Sequence, residues 1–325
     1  MPSLRPDACP GLTATVVERL KEANVSTVIE FLNRGLEELS KDCGLPYQEL
    51  TAIRRVLLAQ YSSFPMSGVD MYDEAVSASA ILSTGSHGLD TLLDGGLYTG
   101  EITEMIGPPA AGKTQVCIAT AVAVVMETDH NVVYIDTGGS LCPSRLHQVM
   151  QSHDITEEKY EEMCQRIQCF KIFDIFQLQE CLQELHQKIL NQSAPFHSNL
   201  KLIIVDSVAA VILPILGGAQ TDSHGHMIHL SRILKSLATD CSTAVLITNN
   251  TTGANNDTGQ VLPSLGRSWH HIPNTRIAIS RMNESSSKSF SSESKSETRR
   301  VSLVKSCKQV IGGSTMIAIK DTGVT

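Results

Sequence analysis

Apolar residues recur at helical spacing through the first 60 residues of the chain. Val16 and Leu20 form one such pair, and Leu50, Ile53 and Leu57 form a longer stripe. A repeat every three or four positions is typical of amphipathic helices, and turn-like residues interrupt the pattern at 24–26 and 43–46. The pattern therefore predicts a small N-terminal helical domain over residues 1–60.

The pattern breaks between residues 61 and 80, where serine, glycine, proline and acidic residues dominate. Phe64 and Tyr72 are isolated apolar side chains in this stretch. We interpret residues 61–80 as a linker. Its two aromatic residues suit docking on a neighbouring domain, or packing against the core of the same chain.

Short apolar runs alternate with helical patterns over residues 81–325. Strands are expected at 101–106, 132–136, 200–206, 243–248 and 276–280, and helices at 113–127, 144–152, 176–190 and 227–239. This alternation predicts an α/β core with a mostly parallel twisted sheet and helices on both faces. A serine-rich stretch at 285–297 has too few apolar residues to pack and is expected to form a mobile loop.

Composition supports a folded protein of the cell interior. Hydrophobic residues make up 42% of the 325 residues, and nine cysteines lie scattered without a Cys-x-x-Cys pair, which favours reduced thiols. The first residues resemble no secretory signal, and no apolar run is long enough to span a membrane, so we expect no membrane partner. A net charge of −8 disfavours nucleic-acid binding through a global positive field and leaves room for local contacts.

One segment matches the phosphate-binding pattern G-x-x-x-x-G-K-[ST]. It follows an expected strand and opens an expected helix, which makes a chance match of a glycine-rich turn the weaker reading. In this pattern backbone N–H groups surround phosphate oxygens, a lysine neutralises them, and a hydroxyl holds Mg²⁺. The residues are Gly107, Pro108, Pro109, Ala110, Ala111, Gly112, Lys113 and Thr114.

A second element supports this site. The apolar strand expected at 200–206 ends in Asp206, as in the strand whose aspartate contacts Mg²⁺ in P-loop proteins. Many buried strands end in aspartate, so Asp206 predicts a Mg²⁺ ligand only in combination with the P-loop. Together they predict a site for ATP and Mg²⁺, with Thr114 and Asp206 on the metal.

Several motifs resemble the RecA family of recombinases in its eukaryotic strand-exchange branch. They are GEITEMIG at 100–107, GKTQ at 112–115, YIDT at 134–137 and ITNN at 247–250. Further segments, CPGL at 9–12, GLYTG at 96–100 and GRSW at 266–269, resemble its D-type group of paralogues. The resemblance covers nearly the whole chain and implies a RecA-like P-loop ATPase core over residues 81–325.

The resemblance also implies roles for individual residues. Lys113, Asn249 and Asn250 correspond to catalytic positions, the two amides to a pair that senses the γ-phosphate, although either could simply cap a strand end. Asn250 stands where the family has a longer glutamine. Gln115 and Arg145 correspond to nucleotide contacts, and Arg145, which the resemblance places against the adenine, could instead be an ordinary arginine at a helix start.

A departure from the family pattern follows YIDT. The family has a glutamate there that orients the attacking water, whereas this chain has Gly138. Glu101 and Glu104 lie near the P-loop, but the sequence assigns neither of them this role. We therefore expect ATP binding with slow hydrolysis, because general-base help is worth about 10² to 10⁴-fold in rate.

Two stretches, 213–226 and 251–267, correspond to the DNA-binding loops of the family. Both are poor in lysine and arginine, which predicts weak, salt-sensitive DNA binding. Arg267 and Trp269 are the side-chain candidates, through phosphate contact and base stacking; a core tryptophan and a surface arginine are the alternative. The histidines His224, His226 and His229 are interpreted as polar surface residues rather than metal ligands, since no acid or cysteine completes a set.

The resemblance implies a nuclear recombination mediator. It would act in a hetero-oligomer of recombinase paralogues, with the main recombinase and single-stranded or branched DNA, in homologous-recombination repair of double-strand breaks, with weak DNA-stimulated ATPase activity. One alternative is an active ATP-driven DNA motor or strand-exchange enzyme. The other is a structural subunit that does not depend on nucleotide.

Overall fold

The structure is a computed structural model of the chain. It describes all residues except 1–3, 5, 7–8, 62–66, 154, 193, 217–221, 255–260 and 282–296, and a few further side chains at the borders of these gaps. Two compact units are present, Met1–Glu74 and Ala75–Thr325.

The first unit is helical, as the apolar spacing predicts. Its helices are α1 (Ala14–Glu22), α2 (Val28–Asn33), α3 (Leu36–Cys43) and α4 (Tyr47–Tyr61). Leu20, Phe31, Leu50 and Ile53 are fully buried between them. The start of α2 is fixed by a capping box, in which Thr27 and Glu30 each accept a hydrogen bond from the other's backbone N–H.

The stretch predicted as a linker contains a further helix, α5 (Gly68–Ala78), which its composition does not indicate. Ser67 begins it by accepting a hydrogen bond from the N–H of Asp70. Tyr72 lies on this helix and is exposed, whereas Phe64 lies outside the described residues.

The second unit is built on one large sheet. Its strands are β3 (Ile102–Gly107), β4 (Asn131–Asp136), β5 (Ile167–Lys171), β6 (Leu200–Asp206), β7 (Ala244–Ala254), β8 (Val261–Pro263), β9 (Thr275–Arg281), β10 (Glu297–Lys305), β11 (Ser314–Lys320) and β12 (Gly323–Val324). Along the sheet the order is β12-β11-β10-β9-β3-β7-β6-β4-β5, with β8 attached to β7. A separate two-stranded sheet pairs β1 (Ile81–Leu82) with β2 (Leu97–Tyr98).

The helices of this unit lie mainly on the two faces of the large sheet. They are α6 (His87–Leu92), α7 (Lys113–Glu127), α8 (Pro143–Gln151), α9 (Glu157–Gln165), α10 (Ile175–Leu190), α11 (Pro195–Ser198), α12 (Val208–Leu216), α13 (Asp222–Asp240) and α14 (Gly266–His270). None of the helices in the described residues is long and apolar enough to cross a membrane.

Alternating side chains of the central strands build two apolar layers. Tyr134 and Leu246 face one layer together with α7, whereas their neighbours Val133 and Ile247 face the other with α10, α12 and α13. The six strands from β9 to β5 are parallel, and the remaining strands pair antiparallel. The predicted α/β core with a mostly parallel sheet is confirmed.

Candidate nucleotide-binding site

The P-loop connects the end of β3 to the start of α7, as the motif predicts. Ala110 (φ 58°) and Gly112 (φ 107°) adopt left-handed backbone conformations, so successive backbone N–H groups turn into a concave nest. A Cβ atom on Gly107 would come within 2.6 Å of the carbonyl oxygen of Ile279, and one on Gly112 would collide with Ile319. The glycines are therefore required sterically, and the nest ends at a helix N-terminus that favours anions.

Lys113 lies inside this loop. Its Nζ donates hydrogen bonds to the carbonyl oxygens of Gly107 at 2.7 Å and Pro108 at 3.1 Å. An ammonium group has three donors, so one remains for a phosphate oxygen. Burial lowers the pKa of Lys113 and the nearby Asp206 carboxylate opposes that shift, as expected for a cation held ready for a buried anion.

The Asp206 carboxylate accepts hydrogen bonds from hydroxyl groups on three neighbouring elements. Its Oδ2 accepts hydrogen bonds from Thr114 Oγ1 at 2.7 Å and from the Tyr134 hydroxyl at 3.0 Å, and its Oδ1 accepts one from Thr248. The carboxylate thus sits directly beside the first turn of α7. Tyr134 and Thr248 lie within the YIDT and ITNN motifs, but the sequence pattern gave neither hydroxyl a role at this carboxylate.

The donor set fits ATP with magnesium. Mg²⁺ prefers oxygen ligands and is usually held by one or two protein oxygens together with the phosphates, a role that Thr114 and Asp206 can fill. In the described part of the chain, no three His, Cys, Asp or Glu side chains come together as a metal site. His226 packs edge-on against Phe176 and His229 contacts Gln183, which supports the polar-surface interpretation of the histidines.

The loop after β4 has no catalytic carboxylate. Gly138 is exposed, and its N–H donates to Asp136 Oδ1 at 3.1 Å. Asp136 is fully buried and accepts two more loop N–H groups, from Ser140 and Leu141, so both of its oxygens are bonded to the loop backbone.

The two glutamates near the P-loop are also engaged. Glu101 pairs with Lys308 at 2.7 Å, and Glu104 forms a buried ion pair with Arg276. Neither side chain points an unpaired carboxylate at the P-loop. This arrangement supports the expectation that neither glutamate replaces the water-orienting side chain that Gly138 lacks.

The two adjacent asparagines, Asn249 and Asn250, have different surroundings in the structure. Asn250 lies opposite Gly107 in the parallel pairing of β3 and β7, which keeps it a candidate for contact with phosphate. Asn249 is fully buried; its Nδ2 donates to Glu104 at 2.8 Å and its Oδ1 accepts from Ser264 at 2.8 Å. Since successive side chains of a strand face opposite ways, the prediction that Asn249 touches the nucleotide is corrected to a role in the buried network.

Trp269 also belongs to that network. The indole is fully buried, and its Nε1 donates to Glu104 Oε1 at 2.9 Å. The indole therefore has no exposed face on which a base could stack, and the structure favours the alternative interpretation of Trp269 as a core tryptophan. Arg267 lies in α14, but its side chain is outside the described residues.

The structure describes only parts of the two predicted DNA-binding loops. Within the first, α12 extends to Leu216 and α13 begins at Asp222, with 217–221 not described. The second was predicted as a DNA-binding loop, and the structure shows that Thr251 and Thr252 continue β7 and pair with β8, so part of it is a β-hairpin. Its tip, residues 255–260, is outside the description.

Arg145 joins three elements beside the P-loop. Its Nε donates to Gln115 Oε1 at 2.7 Å, and its terminal nitrogens donate to the carbonyl oxygens of Lys320 and Asp321 at 2.6 Å. These bonds use the edge of the guanidinium and leave its flat faces for stacking. Contact of Arg145 and Gln115 with the adenine end of a nucleotide stays a prediction.

Two further arginines hold the P-loop and were not anticipated. Arg281 donates from Nε (3.1 Å) and Nη2 (2.9 Å) to the carbonyl oxygen of Ala110, and Arg299 Nε donates to that of Ala111 at 2.9 Å. They lie opposite each other on β9 and β10. By holding the carbonyls outward they favour the orientation in which the loop N–H groups point into the nest.

Known proteins match both units. The Rad51 family profile matches residues 77–324, and the profile described as "RAD51D, N-terminal domain" matches residues 1–60. Together the two profiles span nearly the whole chain.

Relatives with established descriptions cover similar lengths. The chain is 44% identical over 323 residues to the Mus musculus protein "DNA repair protein RAD51 homolog 4", covering 99% of this chain and 96% of that one. It is 47% identical over 276 residues to the Bos taurus protein of the same description, covering 85% and 84%. An archaeal "DNA repair and recombination protein RadA" from Aeropyrum pernix is 27% identical over 250 residues, or 74% of each chain.

Proposed function

Because the chain belongs to the Rad51 family and is a recombinase paralogue of DNA repair, we propose that it is an ATP-binding recombination mediator that hydrolyses ATP slowly. The family resemblance drawn from its motifs, including the D-type group, is confirmed by these matches. The observation that carries the rest of the proposal is the combination of a formed P-loop with a glycine at position 138.

The P-loop residues bind and orient the nucleotide in this proposal. The nest between Gly107 and Gly112 would take the phosphates through backbone N–H groups, and the remaining N–H of Lys113 would contact a phosphate oxygen. Thr114 and Asp206 would hold Mg²⁺, which when bound neutralises phosphate charge. Asn250, Gln115 and Arg145 are proposed as further nucleotide contacts.

Slow turnover follows from the loop after β4. In P-loop enzymes a polar side chain orients the attacking water, and here Gly138 has none. The carboxylates of Asp136, Glu101 and Glu104 are already bonded to the loop, to Lys308 and to Arg276. Bound ATP would therefore persist and stabilise whichever assembly contains it, since a ligand bound only to the assembled state favours that state.

The proposed setting is the nucleus, in a hetero-oligomer with related paralogues. The complex would help the main recombinase to load on single-stranded or branched DNA during homologous-recombination repair of double-strand breaks. Support comes from the DNA-repair descriptions of the relatives and from exposed apolar side chains on α5, where Tyr72 is a proposed docking anchor. Arg267 remains a proposed DNA contact.

The test is isolation of the chain from cells, with identification of stable partners by mass spectrometry, before and after enzymatic removal of ATP. The proposal predicts related recombinase paralogues as partners, with recovery that falls when ATP is removed. Equal recovery with and without ATP would instead indicate a nucleotide-independent structural subunit. A DNA-stimulated turnover of about 10 per second or more would indicate an active motor.

A further inference from the structure

A pocket lies beside the β7–β8 hairpin, on the face of the sheet opposite α7. Its volume is about 360 Å³, which is within the range of small-molecule sites. One part of its wall is polar and cationic, formed by His270, Arg276, Lys305 and Ser306. The other part is apolar, formed by Leu262, Pro263, Val304 and Ile311.

The charge of Arg276 is already balanced. Its guanidinium is fully buried and pairs with Glu104, whose Oε1 also accepts hydrogen bonds from Trp269 and Asn249. Arg276 is the member of this network that lines the pocket, and its positive charge is paired with the Glu104 carboxylate. A second cation in the pocket wall has no carboxylate partner among the described residues.

Lys305 is that second cation. Its Nζ donates to the carbonyl oxygens of His270 at 3.1 Å and Pro273 at 2.6 Å, which leaves one N–H of the three. Among the described residues, no carboxylate lies within ion-pair distance of it. Burial is the main cause that lowers the pKa of Lys305, while Arg276 lowers it further and Glu104 opposes that effect, so an anion in the pocket would stabilise the charged form of Lys305.

His270 adds a neutral donor. Its Nδ1 lies 3.0 Å from Nη1 of Arg276, and since an arginine can only donate, Nδ1 accepts and the ring proton is on Nε2. Burial and the neighbouring cations lower the pKa of His270, which keeps the ring neutral. Nε2–H is thus a donor in the same pocket wall as Lys305.

The neighbouring hairpin lacks such donors. Residues 251–267 contain a single arginine, Arg267, and one acid, Asp257, although this stretch corresponds to a DNA-binding loop. Affinity for nucleic acid depends largely on neutralised phosphates, so the hairpin needs cations from elsewhere. The pocket supplies one such cation, Lys305, and places it beside Leu262 and Pro263 of β8.

We propose that this pocket binds one phosphodiester group of single-stranded DNA, with Lys305 and His270 at the phosphate and the apolar wall against the adjoining base. Leu262 and Ile311 are both exposed at the rim and would cover one face of the base. A nucleotide unit joins an anion to a flat aromatic ring whose faces can pack on apolar side chains, which matches the two halves of the wall. The inference rests on the DNA-binding part of the proposed function and names the residues that carry it.

The test is an anisotropy titration of a fluorescein-labelled single-stranded oligonucleotide at several salt concentrations, with the full chain and three variants. Lys305→Gln is expected to bind about tenfold more weakly and to lower the salt slope by about 0.7, the value for one neutralised phosphate of a single strand. Lys305→Arg is expected to keep both the affinity and the slope. Lys159→Gln, a matched loss of one charge on the exposed helix α9, is expected to change neither.

A fourth variant, Ile311→Ser, tests the contact with the base separately from the contact with the phosphate. Ile311 is exposed on the turn between β10 and β11, so Ile311→Ser leaves the fold intact. It is expected to weaken oligonucleotide binding about threefold with an unchanged salt slope, because an apolar contact releases no counterions. Binding of a fluorescent ATP analogue, measured on each variant, reports that the ATPase core is folded.

The outcomes are distinct. If the wild-type chain binds the oligonucleotide and Lys305→Gln and Ile311→Ser bind it equally well, the pocket assignment is overturned while the proposed function stands. If the wild-type chain binds no oligonucleotide, both the pocket assignment and the DNA-binding part of the proposed function are overturned, whereas the ATP titration still tests the P-loop. An equal loss of affinity in Lys159→Gln would show only a general charge effect and would overturn the assignment as well.

Discussion

Thr114 Oγ1 donates a 2.7 Å hydrogen bond to Oδ2 of Asp206, which joins the first turn of α7 to the end of β6 across 92 positions of sequence. This contact places a hydroxyl and a carboxylate side by side next to the P-loop nest. Both are oxygen ligands of the kind that Mg²⁺ takes with bound phosphates. The nucleotide site is therefore assembled by the sheet topology and does not depend on the loop motif alone.

The first prediction concerns magnesium. Asp206→Asn removes the negative charge beside Thr114, so the gain in ATP affinity that Mg²⁺ gives should disappear. The measurement is titration of a fluorescent ATP analogue in Mg²⁺ and in EDTA. We expect the variant in Mg²⁺ to match the wild-type chain in EDTA, and a normal response of the variant to Mg²⁺ would remove Asp206 from the metal site.

The second prediction restores a side chain at position 138. A Cβ atom on Gly138 would meet only Ser140 Oγ, at 3.9 Å, and its backbone is not left-handed, so Gly138→Glu should fold normally. General-base help is worth about 10² to 10⁴-fold, so DNA-stimulated ATP turnover should rise by at least about tenfold. Gly138→Met has a side chain of similar length without a polar group to orient water and serves as the control. Equal rates in the two variants would contradict the account of slow hydrolysis.

The third prediction concerns Arg281, one of the two arginines that bond to the P-loop. Arg281→Gln removes two donors to the carbonyl oxygen of Ala110, and one such bonded group is worth about 1 kcal/mol, so ATP affinity should fall about fivefold. Arg300→Gln is the matched control, because Arg300 is exposed on β10 and its Nη2 bonds Ser314 Oγ and no P-loop atom among the described residues. The fluorescent ATP titration measures both. An unchanged affinity in Arg281→Gln would show that the loop keeps its shape without this arginine.

The fourth prediction concerns the buried ion pair. Glu104→Gln leaves the buried Arg276 without a counter-charge, and breaking such a pair typically costs about 3–5 kcal/mol of unfolding free energy. Glu101→Gln breaks the more exposed pair with Lys308 on the same stretch of chain and should cost at most about 1 kcal/mol. Urea unfolding followed by the fluorescence of Trp269, the single tryptophan, measures both variants. Equal small losses would mean that the network adds little to stability.

The parts of the nucleotide site and of the fold that could be predicted are those marked by local sequence motifs and apolar spacing. The P-loop and Asp206 each follow an apolar strand, and because parallel strands end at the same edge of a sheet, their meeting could be expected. The N-terminal helices followed from apolar spacing in the same way. The predicted helix and strand pattern of the core was likewise confirmed.

The network around Glu104 could not be predicted. Its partner Arg276 lies 172 residues away, and Asn249 and Trp269 come from two other elements. Each of these side chains alone suits a surface site, so Asn249 was assigned to the nucleotide and Trp269 to DNA. Burial beside a carboxylate is decided by packing, which the sequence pattern does not specify.

The most direct test of the central claim is ATP binding by Lys113→Ala. Lys113 is buried against Gly107 and Pro108, and its remaining donor is the one that we assign to the phosphates. With the same fluorescent ATP analogue and Mg²⁺, the account predicts saturable binding by the wild-type chain and by Lys159→Gln, and loss of measurable binding by Lys113→Ala at an unchanged melting temperature. Wild-type affinity in folded Lys113→Ala would contradict the assignment of this loop to ATP.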